Sequence, residues 1–202
     1  RLEVPEREVV YTQGATGGTL LALFALARPG GEVLAEQPIY EPLLRQAERL
    51  GPVRRLPRSP KDGWRLDADA AARLVGDRTS LVMITEPHNP SGVLSRRESV
   101  LALAAAAERR GALVLVNEIY RGFTDAPSYR GAAPNLVTVS SLSKLLGAYW
   151  ARAGWVTAPR PVADRLRRAH AVLGMQSRPG ARWGLAALER DEALRASARE
   201  LA

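Results

Sequence analysis

The chain has 29 basic side chains, and only two of them, Lys61 and Lys144, are lysines. Lys144 stands in "SSLSKLLGAYWARAGW", residues 140–155, among serines, glycines and Arg152. Elsewhere this chain uses arginine for its cations, so a lysine here points to a task arginine cannot perform. A lysine amine sheds its proton and attacks a carbonyl carbon; a guanidinium does neither at ordinary pH.

A neutral lysine amine condenses with an aldehyde to give a Schiff base, and pyridoxal 5'-phosphate is the common cofactor held that way. Such a site needs an anion cradle, a partner for the ring nitrogen, a donor to the ring oxygen and a surface to stack on the ring. The stretch "GATGG", residues 14–18, opens a helical pattern. Backbone N–H groups and the dipole at a helix start favour a phosphate, and Thr16 adds a hydroxyl. Ser141, Ser143 and Arg152 add two more hydroxyls and a guanidinium fork. Each of these signals is weak alone, because small residues precede many helices and serines cap them. "GATGG" is neither a Walker nor a dinucleotide fingerprint. The chain has no cysteine, so disulfides, thiolate metal sites and cysteine nucleophiles are excluded. No cluster has metal-ligand spacing.

The elements that must carry these residues alternate. Helical patterns cover residues 16–27, 41–50 and 67–75, the last with Asp67 as N-cap. Ser95 and Glu98 have capping-box spacing before a helix that Gly111 stops. Apolar strands read as "EVLAEQ", 53–56, "SLVMITEP", "ALVLVNE", "LVTVSSLS" and "AGWVTAP", and helices follow from Pro161. Apolar strands alternating with amphipathic helices predict a three-layer α/β/α domain over 1–202, with a mostly parallel mixed sheet covered on both faces. Ligands bind beyond the carboxyl ends of such strands. Asn89, Asn117, Tyr120, Ser141 and Lys144 all fall at those ends. His88 reads as a plain loop residue and His170 as a surface one.

Taken in order, "GATGG", "HNPSG", "NEIY", "SSLSK" and "ARAGW" resemble the fold-type-I pyridoxal-phosphate enzymes, and most closely the class I/II aminotransferases. The resemblance runs from about Tyr11 to Trp155 and implies a PLP-dependent transferase-like fold. It implies that Lys144 forms the internal aldimine and then shuttles the substrate proton. Ala15 and Thr16 would give amides and a hydroxyl to the phosphate, joined by Ser141, Ser143 and Arg152. Tyr40 would lie against the ring face, while Asn89 and Tyr120 would share the ring oxygen. The substrates would be an amino acid and a 2-oxo acid, and the assembly a homodimer.

One position departs from the family pattern. Asn117 stands where the family has an aspartate that pairs with the protonated ring nitrogen. An amide brings no charge, so the ring becomes a weaker electron sink. Glu118 is adjacent, but strand alternation points it to the opposite face. The departure leaves open a slower aminotransferase, a lyase, decarboxylase or oxidase of the same fold, and a non-catalytic sensing domain of a transcription regulator.

A net charge of +8 raises nucleic-acid binding, but the arginines are scattered in pairs without aromatic interleaving, so no nucleic-acid partner is expected. No apolar run is long enough to span a membrane, and the expected location is the cytoplasm. Arg1–Val10 leads directly into the first motif and Ala202 falls inside a helical pattern. The sequence therefore reads as part of a longer chain, without a terminal arm or the small domain that normally grips the substrate carboxylate.

Overall fold

The computed structural model describes residues 4–174 and 178–190; the helical pattern expected around Ala202 lies outside them. The first strand, β1 (Val9–Gln13), was not expected from the sequence, because five residues of mixed polarity carry no strong period. It leads into α1 (Gly14–Leu26), which begins two residues earlier than the pattern predicts. Then come β2 (Glu32–Gln37), α2 (Glu41–Leu50), β3 (Val53–Pro57), α3 (Ala68–Leu74) and β4 (Thr79–Thr85). Next are α4 (Arg97–Glu108), β5 (Leu113–Asn117), β6 (Leu136–Ser141), β7 (Ala153–Thr157), α5 (Arg160–Leu173) and α6 (Arg178–Glu189).

The seven strands form one sheet in the order β1-β7-β6-β5-β4-β2-β3. Only β7 runs against its neighbours; the pairs from β3 through β6 are parallel. Alternation divides the core into two layers. Leu81, Met83, Leu115 and Val139 face α1, α2 and α5. Val82, Ile84, Val114 and Val116 face α3 and α4. The central strands β4, β5 and β6 are mostly apolar on both sides because both sides are covered, as the three-layer reading requires.

This order puts the working residues on one edge. The chain steps outward from β2 to β3, then returns past β2 to β4 and continues the other way. The crevice at the carboxyl ends of β2 and β4 is therefore the point where strand order reverses, the usual ligand position in open α/β sheets. Because β7 is antiparallel, Arg152, just before it, comes back to that same edge.

Two sequence expectations fail. Ser95 and Glu98 do not form a capping box: α4 starts at Arg97 after Arg96, with no side-chain cap. Ser95 is buried and bonds elsewhere, its hydroxyl accepting from Leu66 N and Arg58 Nη1. His170 is not a surface residue. It lies on the inner face of α5 with Ala163, Leu166 and Ala169 and is 8% exposed. Asp67 does cap α3, accepting from Ala70 N at 2.9 Å.

Candidate active site

One open cavity of about 200 Å³ lies at the carboxyl edge of the sheet. All ten residues singled out in the sequence line it: Ala15, Thr16, Tyr40, Asn89, Asn117, Tyr120, Ser141, Ser143, Lys144 and Arg152. They arrive from six separate segments, so the convergence is a property of the topology and not of chain neighbourhood. Thr85, Leu43, Ile119 and Tyr149 complete the wall. The sequence analysis missed these four. Thr85 carried a faint signal as the last residue of an apolar strand. Leu43 read only as a helix residue.

The anion end is built on glycines. Gly14 opens α1 at φ +72°, and an added Cβ there would lie 2.7 Å from Arg152 Nη2. Only a residue without a Cβ lets the guanidinium lie against the helix start. Arg152 itself has a left-handed backbone at φ 48°. Its Nη2 donates to Gln13 O at 3.1 Å and its Nη1 to Tyr149 O at 3.4 Å. Gly154 supports the same corner, because its missing Cβ would meet the Gly14 backbone at 2.6 Å and Ser140 O at 2.8 Å. The glycines of "GATGG" and "ARAGW" thus pack against each other and bring one cation beside a helix N-terminus. The first turn of α1 has no acidic residue. The Ser141 hydroxyl accepts from Ser143 N at 3.3 Å, which holds the turn after β6.

The end of the cavity that holds Lys144 is open. Lys144 lies in the loop after β6, exposed, with its Nζ 5.9 Å from the centroid of the Tyr120 ring. Among the described residues no carboxylate pairs with that Nζ. Asn117 is buried at the end of β5, and its Oδ1 accepts from Ile119 N at 3.1 Å. That bond fixes the amide orientation, since a backbone N–H needs an oxygen partner. The Nδ2 group is left as the free donor. Tyr40 begins α2 and is half exposed. Asn89 follows His88, which is 1% exposed.

Glu118 turns away, as alternation predicts. Its carboxylate accepts from Tyr129 N and Ser128 Oγ, both at 2.7 Å. Burial pushes its pKa up, those hydrogen bonds opposing the shift. His88 is more than a plain loop residue. Its ring nitrogens contact Ser91 Oγ at 2.7 Å and Pro38 O at 2.9 Å, and burial lowers its pKa. It therefore bridges the loop after β4 to the loop after β2. Among the described residues no group of acidic, His or Cys side chains could hold a metal ion, and no helix is long and apolar enough to cross a membrane.

Residues 2–202 match the family described as aminotransferase class I and II. The chain belongs to that family. It is 31% identical over 178 residues to the probable N-succinyldiaminopimelate aminotransferase DapC of Mycobacterium tuberculosis, covering 84% of this chain and 45% of that protein. It is 28% identical over 197 residues to the methionine aminotransferase of Escherichia coli, covering 93% and 50%. The crystal structure of a PLP-dependent aminotransferase from Streptococcus suis superposes with a TM-score of 0.86 at 29% identity, over 96% of this chain and 53% of that one. The chain thus spans about half the length of the curated relatives it matches. Members of this aminotransferase family use pyridoxal phosphate. The cavity fits such a group: it offers an anion corner of helix amides, hydroxyls and a guanidinium, a tyrosine ring, amide and phenol donors, and one primary amine.

Proposed function

We propose that the chain is the cofactor-holding part of a PLP-dependent aminotransferase, moving an amino group between an amino acid and a 2-oxo acid. The observation that carries this reading is the Lys144 amine, paired with no carboxylate among the described residues, sharing one cavity with the corner around Arg152. When bound, the cofactor supplies an aldehyde that condenses with amines and a ring that draws electron density from the substrate α-carbon.

The remaining work falls to the chain. Thr16, Ser141, Ser143, Arg152 and the first amides of α1, including that of Ala15, bind the phosphate and fix the ring by its tail. Tyr40 would stack on one ring face, Asn89 and Tyr120 would donate to the ring oxygen, and Asn117 Nδ2 would face the ring nitrogen. Lys144 Nζ would hold the cofactor through its aldehyde. Once freed by substrate, that amine would serve as the base that takes the substrate α-proton and as the acid that returns it. A homodimer in the cytoplasm is the arrangement the family resemblance favours.

A second reading has one specific support. Asn117 would offer the ring nitrogen a neutral donor and no carboxylate, which favours another reaction of the same fold that needs less electron withdrawal than transamination. Visible spectra of the full-length protein with pyridoxal phosphate separate the two. The aminotransferase reading expects a band that Lys144→Ala abolishes, that one amino acid converts to the aminated cofactor, and that a 2-oxo acid restores. A Lys144-dependent band that amino acids consume without such reversal would favour the second reading. No Lys144-dependent band would overturn both.

A further inference from the structure

Beneath the cavity, on the α3/α4 side of the sheet, lies a charged cluster that the chemistry above does not use. Glu36 comes from the end of β2, Arg58 from just beyond β3, and Glu86 from just beyond β4. The side chains of all three are fully buried. Arg58 Nη2 lies 2.8 Å from Glu36 Oε2, a close polar contact that misses hydrogen-bond geometry. The same nitrogen donates to Glu86 Oε1 at 2.9 Å, and Nη1 donates to Ser95 Oγ at 2.8 Å.

The carboxylates pass the connection on to the backbone of the cavity wall. Glu36 Oε1 accepts from Thr85 N at 2.6 Å, and Thr85 lines the cavity. Glu86 Oε2 accepts from Ser95 N, while Glu86 N donates to Asn117 O, both at 2.9 Å. Arg58 N donates to Gln37 O at 2.8 Å, and two residues beyond Pro38 comes Tyr40. Buried charges persist only where partners satisfy them. Every strand end on either side of the crevice is a partner here.

We propose that Arg58 is a positioning residue: its guanidinium clamps the ends of β2 and β4 at the reversal of strand order and so sets the spacing between Tyr40 and Asn89 across the cavity. The loops themselves have no regular backbone ladder to do this. Arginine suits the task because its planar fork reaches two carboxyl groups and a hydroxyl at once, where a lysine ammonium would reach fewer. The expectation for bound cofactor rests on the reading of the cavity above; the expectation for loop mobility does not.

The test uses full-length protein carrying Arg58→Met, which fills the space without the fork. Hydrogen exchange of the cofactor-free protein is followed by mass spectrometry. The clamp expects segments 37–44 and 86–95 to exchange about tenfold faster or more, with β1 and β7 unchanged. With pyridoxal phosphate added, the Lys144-dependent band should still form. Its dissociation constant should rise about tenfold, and its visible circular dichroism per unit absorbance should fall, because the ring is no longer held at one angle to Tyr40. A purely structural role would lower the melting temperature and leave that dichroism intact. Unchanged exchange in both segments, or uniform acceleration across the sheet, overturns the proposal. If the wild type gives no band, the cofactor reading has failed, and the exchange pattern still decides the clamp. Should Arg58→Met not melt cooperatively, Ser95→Ala, which removes one acceptor of the fork, carries the same comparison with a smaller expected change.

Discussion

Gly14 and Arg152 occupy one space: the guanidinium Nη2 lies 2.7 Å from where a Gly14 Cβ would sit. The glycine that opens α1 and the arginine that precedes β7 are 138 positions apart in sequence, yet neither can change alone. The same contact aims a cation at the helix start, where a phosphate gains from both the dipole and the free amides.

Gly14→Ala should therefore weaken phosphate binding specifically. The Cβ displaces Arg152, and φ +72° costs alanine about 1 kcal/mol in its own right. Losing a charge-assisted hydrogen bond to the phosphate should raise the dissociation constant for pyridoxal phosphate about tenfold to a hundredfold. Pyridoxal without its phosphate should bind the variant and the wild type alike. Spectrophotometric titration with the two compounds checks this, and an equal loss for both would reject the assignment of the corner to phosphate.

Asn117→Asp is expected to strengthen the electron sink. The amide Oδ1 already accepts from Ile119 N, and a carboxylate keeps that bond while placing a negative oxygen where Nδ2 stood. Charge opposite the ring nitrogen favours its protonated form. Single-turnover conversion by a reactive amino acid, followed by stopped-flow absorbance, should accelerate at least about tenfold, equivalent to about 1.4 kcal/mol. A slower reaction would mean that the site is built around the amide, in line with the second reading.

Glu36 gives a pH dependence with a definite sign. Burial, only partly offset by Arg58 and the Thr85 bonds and reinforced by Glu86, raises its pKa from 4.5 to about 8. The folded protein thus holds a proton that the unfolded chain releases. Folding stability from this group is complete below about 4.5 and is lost as pH rises toward 8. Urea midpoints should fall across that window. Glu36→Gln, whose amide keeps an oxygen for Thr85 N and cannot titrate, should flatten that slope. An unchanged slope would show that another group carries it.

The legibility of this chain differs between its layers. The central parallel strands β4, β5 and β6 read clearly because each is mostly apolar on both faces and bounded by polar loops. β1 did not, because an edge strand of five residues is specified by its partner β7 and not by its own pattern. Five of the ten cavity residues, Asn89, Asn117, Tyr120, Ser141 and Lys144, were legible because polar side chains sit at strand ends, where topology must gather them; Thr16, Ser143 and Arg152 were legible as hydroxyls and a cation suited to an anion, and Ala15 and Tyr40 only through the family resemblance. The buried cluster was not. No motif or spacing singles out Glu36, Arg58 or Glu86, and nothing local signals that three strand ends will bury them together. Ser95 shows the same limit: its spacing to Glu98 fits a capping box, yet Arg58 and Leu66 claim the hydroxyl.

Gly18 sets two opposing effects against each other. Glycine within a helix is less favourable than alanine by about 1 kcal/mol, so propensity alone favours Gly18→Ala. Packing opposes it. An added Cβ would sit 2.5 Å from Val139 Cγ2, 3.0 Å from Val156 Cγ2 and 3.1 Å from Thr12 Oγ1, all buried in the sheet. β-branched side chains on a packed strand have little freedom to yield. Overpacking of this kind costs about 1–3 kcal/mol, so the net change should be a destabilisation of up to about 2 kcal/mol. The displaced helix start is the corner proposed for the phosphate, so affinity for pyridoxal phosphate should fall with it. Urea unfolding of the full-length variant, read beside that affinity, tests both. A more stable Gly18→Ala protein would mean that α1 does not seat on β6 and β7 as closely as described.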